Sequence, residues 1–350
     1  MKTDDFNKAL STVKMCINPS PVIPAYSLLY LNNDTIESCD GIQGIRYTVP
    51  VGVECAVRGL LFAEVVSKLS DIDPLSLQND KLVISSGKTK IELATADKND
   101  FVSAFDIDTY KHSIKLTNDI TNAMSILMSS INRITIQEEQ NGITMIIDEN
   151  GISMYATNNI RASKFHIPME LDFSISILLP ESFCRRLLSL NTGNGELFFG
   201  TKTVKAIFPK IEFISKLKEI ELLDFEGKIF SNYDFKSIEC QFVGDFPKSL
   251  VLASSILDKD RFGDFDVGNT IKFKVNTGIS VFEDEINIGF SNTFKFKADI
   301  PIFLSLLKDV VEFGFVENDN GVFVIGRANP GFNTIMGTFS EQEENTNEEK

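Results

Sequence analysis

Asn150–Pro168 (NGISMYATNNIRASKFHIP), Leu179–Leu190 (LPESFCRRLLSL) and Gly195–Pro209 (GELFFGTKTVKAIFP) follow one another as a strand pair ending in proline, a short helix and a hairpin. Apolar residues alternate along the first and third segments, the period of half-buried strands. They recur at helical spacing along the second, where Pro180 suits a first helical turn. The same order recurs upstream. Thr35–Val51 (TIESCDGIQGIRYTVPV) carries a strand pair around Asp40-Gly41. Arg58–Leu69 (RGLLFAEVVSKL) reads as a helix with Leu61, Val65, Lys68 and Leu69 at helical spacing. Lys81–Thr95 (KLVISSGKTKIELAT) reads as a hairpin around Ser86-Gly87. Downstream, Glu285–Pro301 (EINIGFSNTFKFKADIP) is the strand pair, Pro301–Val311 the helix with Asp299 as its cap, and Asn320–Phe339 the closing segment.

An amphipathic helix opens each copy. Asp4–Ile17 places Phe6, Leu10, Val13 and Ile17 on one stripe. Thr117–Asn132 does so with Ile120, Ala123, Met124, Leu127, Met128 and Ile131, and Phe246–Leu257 repeats the pattern. Three copies in 350 residues give a period of about 117. The fold class is therefore α+β: three repeated domains, each with two helices on one face of antiparallel sheet and the other face wet. The expected domains are 1–113, 114–232 and 233–340, with 341–350 a disordered acidic tail.

Composition narrows the function. The chain carries 49 acidic and 34 basic residues, a net charge of −15. That excludes a protein that coats nucleic acid through general basicity, though not one with a local basic lining. With only His112 and His166, a metal or catalytic site built on several histidines is not expected. Cys16, Cys39, Cys55, Cys184 and Cys240 are odd in number and far apart, which suits reduced thiols in a cytoplasmic protein rather than a disulfide framework or zinc ribbon. MKTDDFNKAL lacks the apolar core of a signal peptide, and no run of about 18 apolar residues suits a membrane span. Gly87-Lys88-Thr89 ends like a phosphate-binding loop, but Leu82 stands where that loop needs glycine. Cys184, beside Arg185 and Arg186, lies on the helix stripe with Phe183 and Leu187 and reads as core. His166, at a strand end, reads as structural. No catalytic residue, metal or cofactor is expected, and the chain reads as a binding or scaffolding protein.

Several segments resemble the bacterial-type DNA sliding clamp, the beta subunit of the replicative DNA polymerase III, in a divergent phage or mobile-element form. Lys81–Thr95 with Asp97, Asp100 and Phe101 is similar to the family stretch "SGR-S-x-L-x-T…DFP". Asn141–Ala162 (NGITMIIDENGISMYATNNIRA) is similar to "NG(M)L…L…ATDGHRLA", and Val204–Asp224 to "IRA…FTSKLVDGRFPD" through Ser215-Lys216-Leu217. Leu252–Phe262 is similar to "RAAILSNEKF", and Thr334–Thr338 stands where the family has "VVMPM". The likeness runs from Met1 to Phe339. It implies three similar domains per chain, a head-to-tail homodimer closing a ring around double-stranded DNA, tethering of a DNA polymerase, and opening by a clamp loader. A two-domain trimeric clamp would leave about a third of the chain unexplained. Other readings are a clamp-fold decoy or scaffold that is never loaded, a nuclease with clustered carboxylates, and a β-rich phage structural protein.

The resemblance also implies site residues. Helices line the hole, so the DNA-facing charges would be Lys8, Lys14, Arg58, Lys68, Arg133, Arg185, Arg186, Lys248 and Lys308; each is equally readable as an ordinary exposed helix charge. Thr117–Asn132 contributes no base, only Asp119, and Glu138 and Glu139 stand where the family often has aromatics near DNA. A partner-peptide pocket would use Gln140, Thr157, Asn159, Ile160, Arg161, Ala162, Leu223, Phe262, Ile335, Met336 and Thr338. Gln140 replaces a leucine, Asn158-Asn159-Ile160 replaces Asp-Gly-His, Leu223 and Gly337 replace prolines, and Gly227 replaces an arginine, so different peptides are expected. The ring interface would use Phe101, Ile256 and Leu257, with an edge strand of domain one against one of domain three.

Overall fold

A computed structural model of the chain describes residues 3–69, 71–105, 108–131, 137–190, 193–257, 261–328 and 331–339. Arg133 and the acidic tail lie outside the described residues. The α-helices are α1 (Thr3–Val13), α2 (Gly59–Ser67), α3 (Asn118–Leu127), α4 (Glu181–Leu190), the short α5 (Phe225–Lys228), α6 (Phe246–Ser254) and α7 (Ile300–Asp309). Along the chain the three sheet-rich domains follow one plan: an opening helix, four strands, a second helix and three more strands.

The plan holds in space as well as in order. Leu28–Asn32, Thr35–Cys39, Gln43–Thr48 and Glu54–Arg58 lie side by side as fourth, first, second, third. The sets beginning at Gly142 (to Pro180) and at Phe262 (to Asp299) take the same order. The sequence pattern therefore understates each copy, because Leu28–Asn32 (LLYLN) is nearly continuous in its apolar residues and lacks the alternation that marks a strand.

By contacts the chain forms two compact units, Met1–Thr121 with Ser182–Glu219, and Asn122–Glu181 with Ile220–Lys350. The middle copy is shared, its four-strand set belonging to the second unit and its last three strands to the first. In the first unit, Gln43–Thr48 pairs antiparallel with Ile211–Lys216, from Gln43 opposite Ser215 to Tyr47 opposite Ile211. In the second unit, Arg161–Pro168 pairs antiparallel with Phe332–Gly337, from Arg161 opposite Met336 to Phe165 opposite Phe332. Each time the third strand of one copy meets the last strand of the next. The remaining third strand, Val281–Asn287, is the edge of a four-stranded sheet. The remaining last strand, Thr89–Ala96, meets Glu54–Arg58 only at Thr95 and Ala96, so among the described residues Thr89–Ala94 is open on that side.

Helix stripes fix the cores. Phe6, Leu10 and Val13 of α1 and Ile120, Ala123, Met124 and Leu127 of α3 are buried. Each large one contributes roughly 1.5–3 kcal/mol by leaving water. Asp299 caps α7 by accepting the Ile302 N–H at 2.9 Å, with Pro301 in the first turn. In α2 the expected stripe is the wrong face: Leu61 is 46% exposed, and Phe62, Ala63 and Val66 are buried instead. That helix is apolar almost all round, so spacing alone cannot choose its inner side. All five cysteines are free, Cys184 among the fully buried.

Candidate functional site

In the second unit the strands Gly142–Asp148, Gly151–Thr157, Arg161–Pro168, Phe332–Gly337 and Gly321–Ala328 lie side by side. Register sorts their side chains onto two faces, because directly opposed residues share a face and neighbours alternate. Thr157 opposes Ala162, Ala162 opposes Ile335, and Ile335 opposes Ile325, so these share one face with Tyr155. This face is not wet, contrary to expectation. The segment 223–238 covers it: Phe225 and Phe230 are buried in one apolar cluster with Tyr155, Ala162, Ile325 and Ile335, and Leu223, Tyr233 and Phe235 pack against them. Phe225 stacks on Tyr155 with centroids 5.2 Å apart, and Tyr233 meets Phe323 at 5.7 Å. Sequence reasoning missed these aromatics. Their only signal is the recurrence of apolar rings at Phe225, Phe230, Tyr233 and Phe235 in a segment without strand or long-helix periodicity.

A polar group is buried within the covered face. The Tyr155 hydroxyl donates to Glu226 Oε1 at 2.6 Å, and the Lys164 ammonium also donates to Glu226. Burial, and then the adjacent carboxylate, push the Tyr155 phenol up. Burial works against ionisation of Glu226 too, but the Lys164 and Tyr155 hydrogen bonds outweigh it and hold the carboxyl below its usual range.

The opposite face carries Arg161 and Met336, which are expected as pocket walls but are buried, 1% and 0% exposed, away from the aromatic cluster. Arg161 Nε donates to Thr334 Oγ1 at 2.9 Å, Nη1 to Ser305 Oγ at 3.2 Å and Ser129 Oγ at 3.3 Å, and Nη2 to Asp309 Oδ2 at 2.9 Å. Alternation is the reason: Arg161 and Ala162 are consecutive in a strand and cannot face the same side. Burial pulls the guanidinium's pKa down and Asp309 pulls it back up.

The other pocket residues gather around the turn between Gly151–Thr157 and Arg161–Pro168. Gln140 Nε2 donates to Asn159 Oδ1 at 2.5 Å, with Asn159 at φ +73°. Thr157 Oγ1 donates to the Arg161 carbonyl, and Asn158 Oδ1 accepts the Ile160 and Arg161 amides. The Ile160 carbonyl accepts the Gly337 N–H at 2.8 Å. Thr338 donates to the Val322 carbonyl. Phe262 is set apart, edge-on to Phe339 at 5.1 Å.

Of the basic candidates, Lys8, Lys14, Arg58, Arg185 and Lys308 are exposed on or beside their helices. Lys68 pairs with Glu64 at 2.6 Å and Lys248 with Asp245 at 2.7 Å, both at the surface. Arg186 is the exception. Its Nη1 donates to Gln43 Oε1 at 2.6 Å, Asp40 Oδ2 at 2.8 Å and Cys16 Sγ at 3.3 Å, so it is turned into the first unit rather than outward. Helix α4 is amphipathic, and Arg186 lies at the border of its buried stripe. Among the interface candidates, Phe101 is half-buried and stacks on Tyr30 at 5.4 Å, and Ile256 and Leu257 are half-buried just past α6. Among the described residues no group of three or more His, Cys, Asp or Glu is placed to hold a metal ion, and no helix is long and apolar enough to cross a membrane.

No family model matches the sequence, and no curated protein does. Solved structures do match. A DNA polymerase sliding clamp from Pseudomonas aeruginosa aligns with a TM-score of 0.84 at 14% identity, covering 97% of this chain and 98% of that one. A structure described as the DNA polymerase III subunit beta from the same organism aligns at 0.83 and 14%, with the same coverage. A Helicobacter pylori beta clamp bound to a DNA ligase peptide aligns at 0.81 and 18%, again covering 97% and 98%. The chain has the fold of the DNA polymerase III beta-subunit sliding clamps from end to end.

Proposed function

We propose that the chain is a DNA sliding clamp: a processivity factor without catalytic activity that encircles duplex DNA in the cytoplasm as a head-to-tail homodimer. It tethers a replicative DNA polymerase and other DNA-processing proteins, and a clamp loader opens it. One observation carries this above the others. Full-length likeness to sliding clamps coincides with an antiparallel edge junction made twice within one chain, each time between a third strand and the next copy's last strand. One edge of each kind is left over, which is the condition for closing a ring with a second copy.

The charge distribution suits topological rather than adhesive binding. Affinity for DNA climbs steeply with each neutralised phosphate, and tight contacts would brake sliding. A body of net charge −15 with scattered helix bases (Lys8, Lys14, Arg58, Lys68, Arg185, Lys248 and Lys308) keeps contacts few. Arg186, held by Asp40 and Gln43, is left out of that set.

For partners, the proposed groove lies at the turn around Asn159 and Ile160, where Gln140, Thr157, Ala162, Leu223, Ile335 and Thr338 gather, with Phe262 as an outlying wall. Arg161 and Met336 support it from behind. A peptide is the class of ligand carried by the Helicobacter pylori neighbour. The test is loading onto nicked circular DNA, with a loader and ATP, followed by linearisation. A clamp stays on the circle and is lost from the linear form. Salt-sensitive binding that ignores DNA ends would overturn the topological mechanism.

A further inference from the structure

The exposed face of the last four-strand set carries its charges in rows. Register places Glu283, Lys274, Asp264 and Lys297 across the sheet in one row. Glu285, Lys272, Asp266 and Lys295 form the next. Signs alternate strictly in both. Lys274–Glu283 closes at 2.6 Å, Lys295–Asp266 at 3.3 Å and Lys272–Glu285 at 3.4 Å. Both rows end in an acid on Val281–Asn287, the edge strand. Between them Asp284 points to the other face, opposite Phe273 and flanked by Phe282 and Ile286. An acid on the apolar side of an edge strand discourages indiscriminate pairing.

The other open edge, Thr89–Ala94, has the complementary chemistry. Lys90 and Glu92 lie on its wet side, Ile91 and Leu93 on its half-buried side, and Lys88 stands in the turn before it. We propose, resting on the ring proposed above, that a second copy's Thr89–Ala94 edge continues these rows in one register, with Lys90 opposite Glu283 and Lys88 beside Glu285. Ile91 then opposes Phe282, apolar against apolar, and the Thr89 hydroxyl faces Asp284. Each row gains a fifth member of the correct sign. A shift of two residues one way sets Glu92 against Glu283, and the other way leaves Glu285 without a base. Self-pairing of Val281–Asn287 sets acids against acids, and like charges directly opposed destabilise a strand pair. Charge therefore selects both the register and the head-to-tail polarity.

The test is a charge swap read by sedimentation of the full chain. Glu283→Lys with Glu285→Lys sets bases against bases, and Lys88→Glu with Lys90→Glu sets acids against acids. Each variant alone is expected to raise the dimer dissociation constant roughly a hundredfold. Mixed, the two are expected to form a heterodimer, because both interfaces then join unlike charges. The substituted side chains are exposed, and unchanged circular dichroism melts confirm folding. In parallel, Ile91→Cys with Phe282→Cys is expected to cross-link the dimer under mild oxidation, and Ile91→Cys with Asp284→Cys is not. If the wild type dimerises but the single-sided variants dimerise equally well, or the off-register pair cross-links instead, the charge-selected register is overturned while the ring stands. A wild type that remains monomeric at all concentrations overturns the ring itself.

Discussion

The two junctions between copies use the same backbone and opposite side-chain chemistry. In the first unit, Gln43–Thr48 meets Ile211–Lys216, and Arg186 reaches the junction from α4 with its side chain still 28% exposed. In the second, Arg161 lies within the junction strand, its side chain fully buried among Thr334, Ser305 and Asp309. Main-chain pairing is indifferent to residue type, so both junctions form. What differs is how far each depends on a charge kept from water. A half-exposed arginine can exchange a protein partner for solvent, whereas a buried one cannot.

Removing the buried partner should break the comparison most sharply. Asp309→Ala leaves the Arg161 guanidinium charged and unpaired, and a loss of about 3–5 kcal/mol is expected in urea unfolding. Adding Arg161→Met should recover most of it; no recovery would mean that the hydroxyl cluster, rather than the ion pair, holds this junction. Arg186→Ala in the first unit should cost less, about 1–3 kcal/mol, chiefly through the Gln43 carbonyl left buried. Equal losses at the two sites would remove the distinction drawn from exposure.

A smaller effect is confined to the first unit. Asp108 holds the turn before Thr203–Ile207, which in turn pairs with the junction strand. Burial raises its pKa, but the Lys202 and Thr109 amides and the Thr201 and Thr203 hydroxyls outweigh that and hold the carboxyl at about 2. A folded-state value below the unfolded one stabilises above pH 4 or so and is lost as pH falls through about 2. The Lys202 and Thr203 amide resonances should move in that window, and Asp108→Asn should abolish the movement.

Much of this was legible in the residues themselves. The stripes of α1 and α3, the Asp299 cap, the hairpin at Gly87-Lys88 and the buried Cys184 follow from spacing and local hydrogen bonding. The threefold order follows from recurrence of the same local pattern. The face of α2 was not legible, because an almost wholly apolar helix offers no contrast. Nor was the division of the pocket residues: motif likeness names Arg161 and Ala162 together, and only pairing register separates them.

Sequence alone determined which segments are strands and helices, how often the plan repeats, and that positive charge is sparse, since these depend on neighbours within a few residues. Tertiary structure decided what pairs across long separations: Arg161 with Asp309, the aromatics of 223–238 with Tyr155, and the alternating charge rows that end at Glu283 and Glu285. Such contacts depend on register and on which edges remain unpaired, and those are set only when the strands assemble.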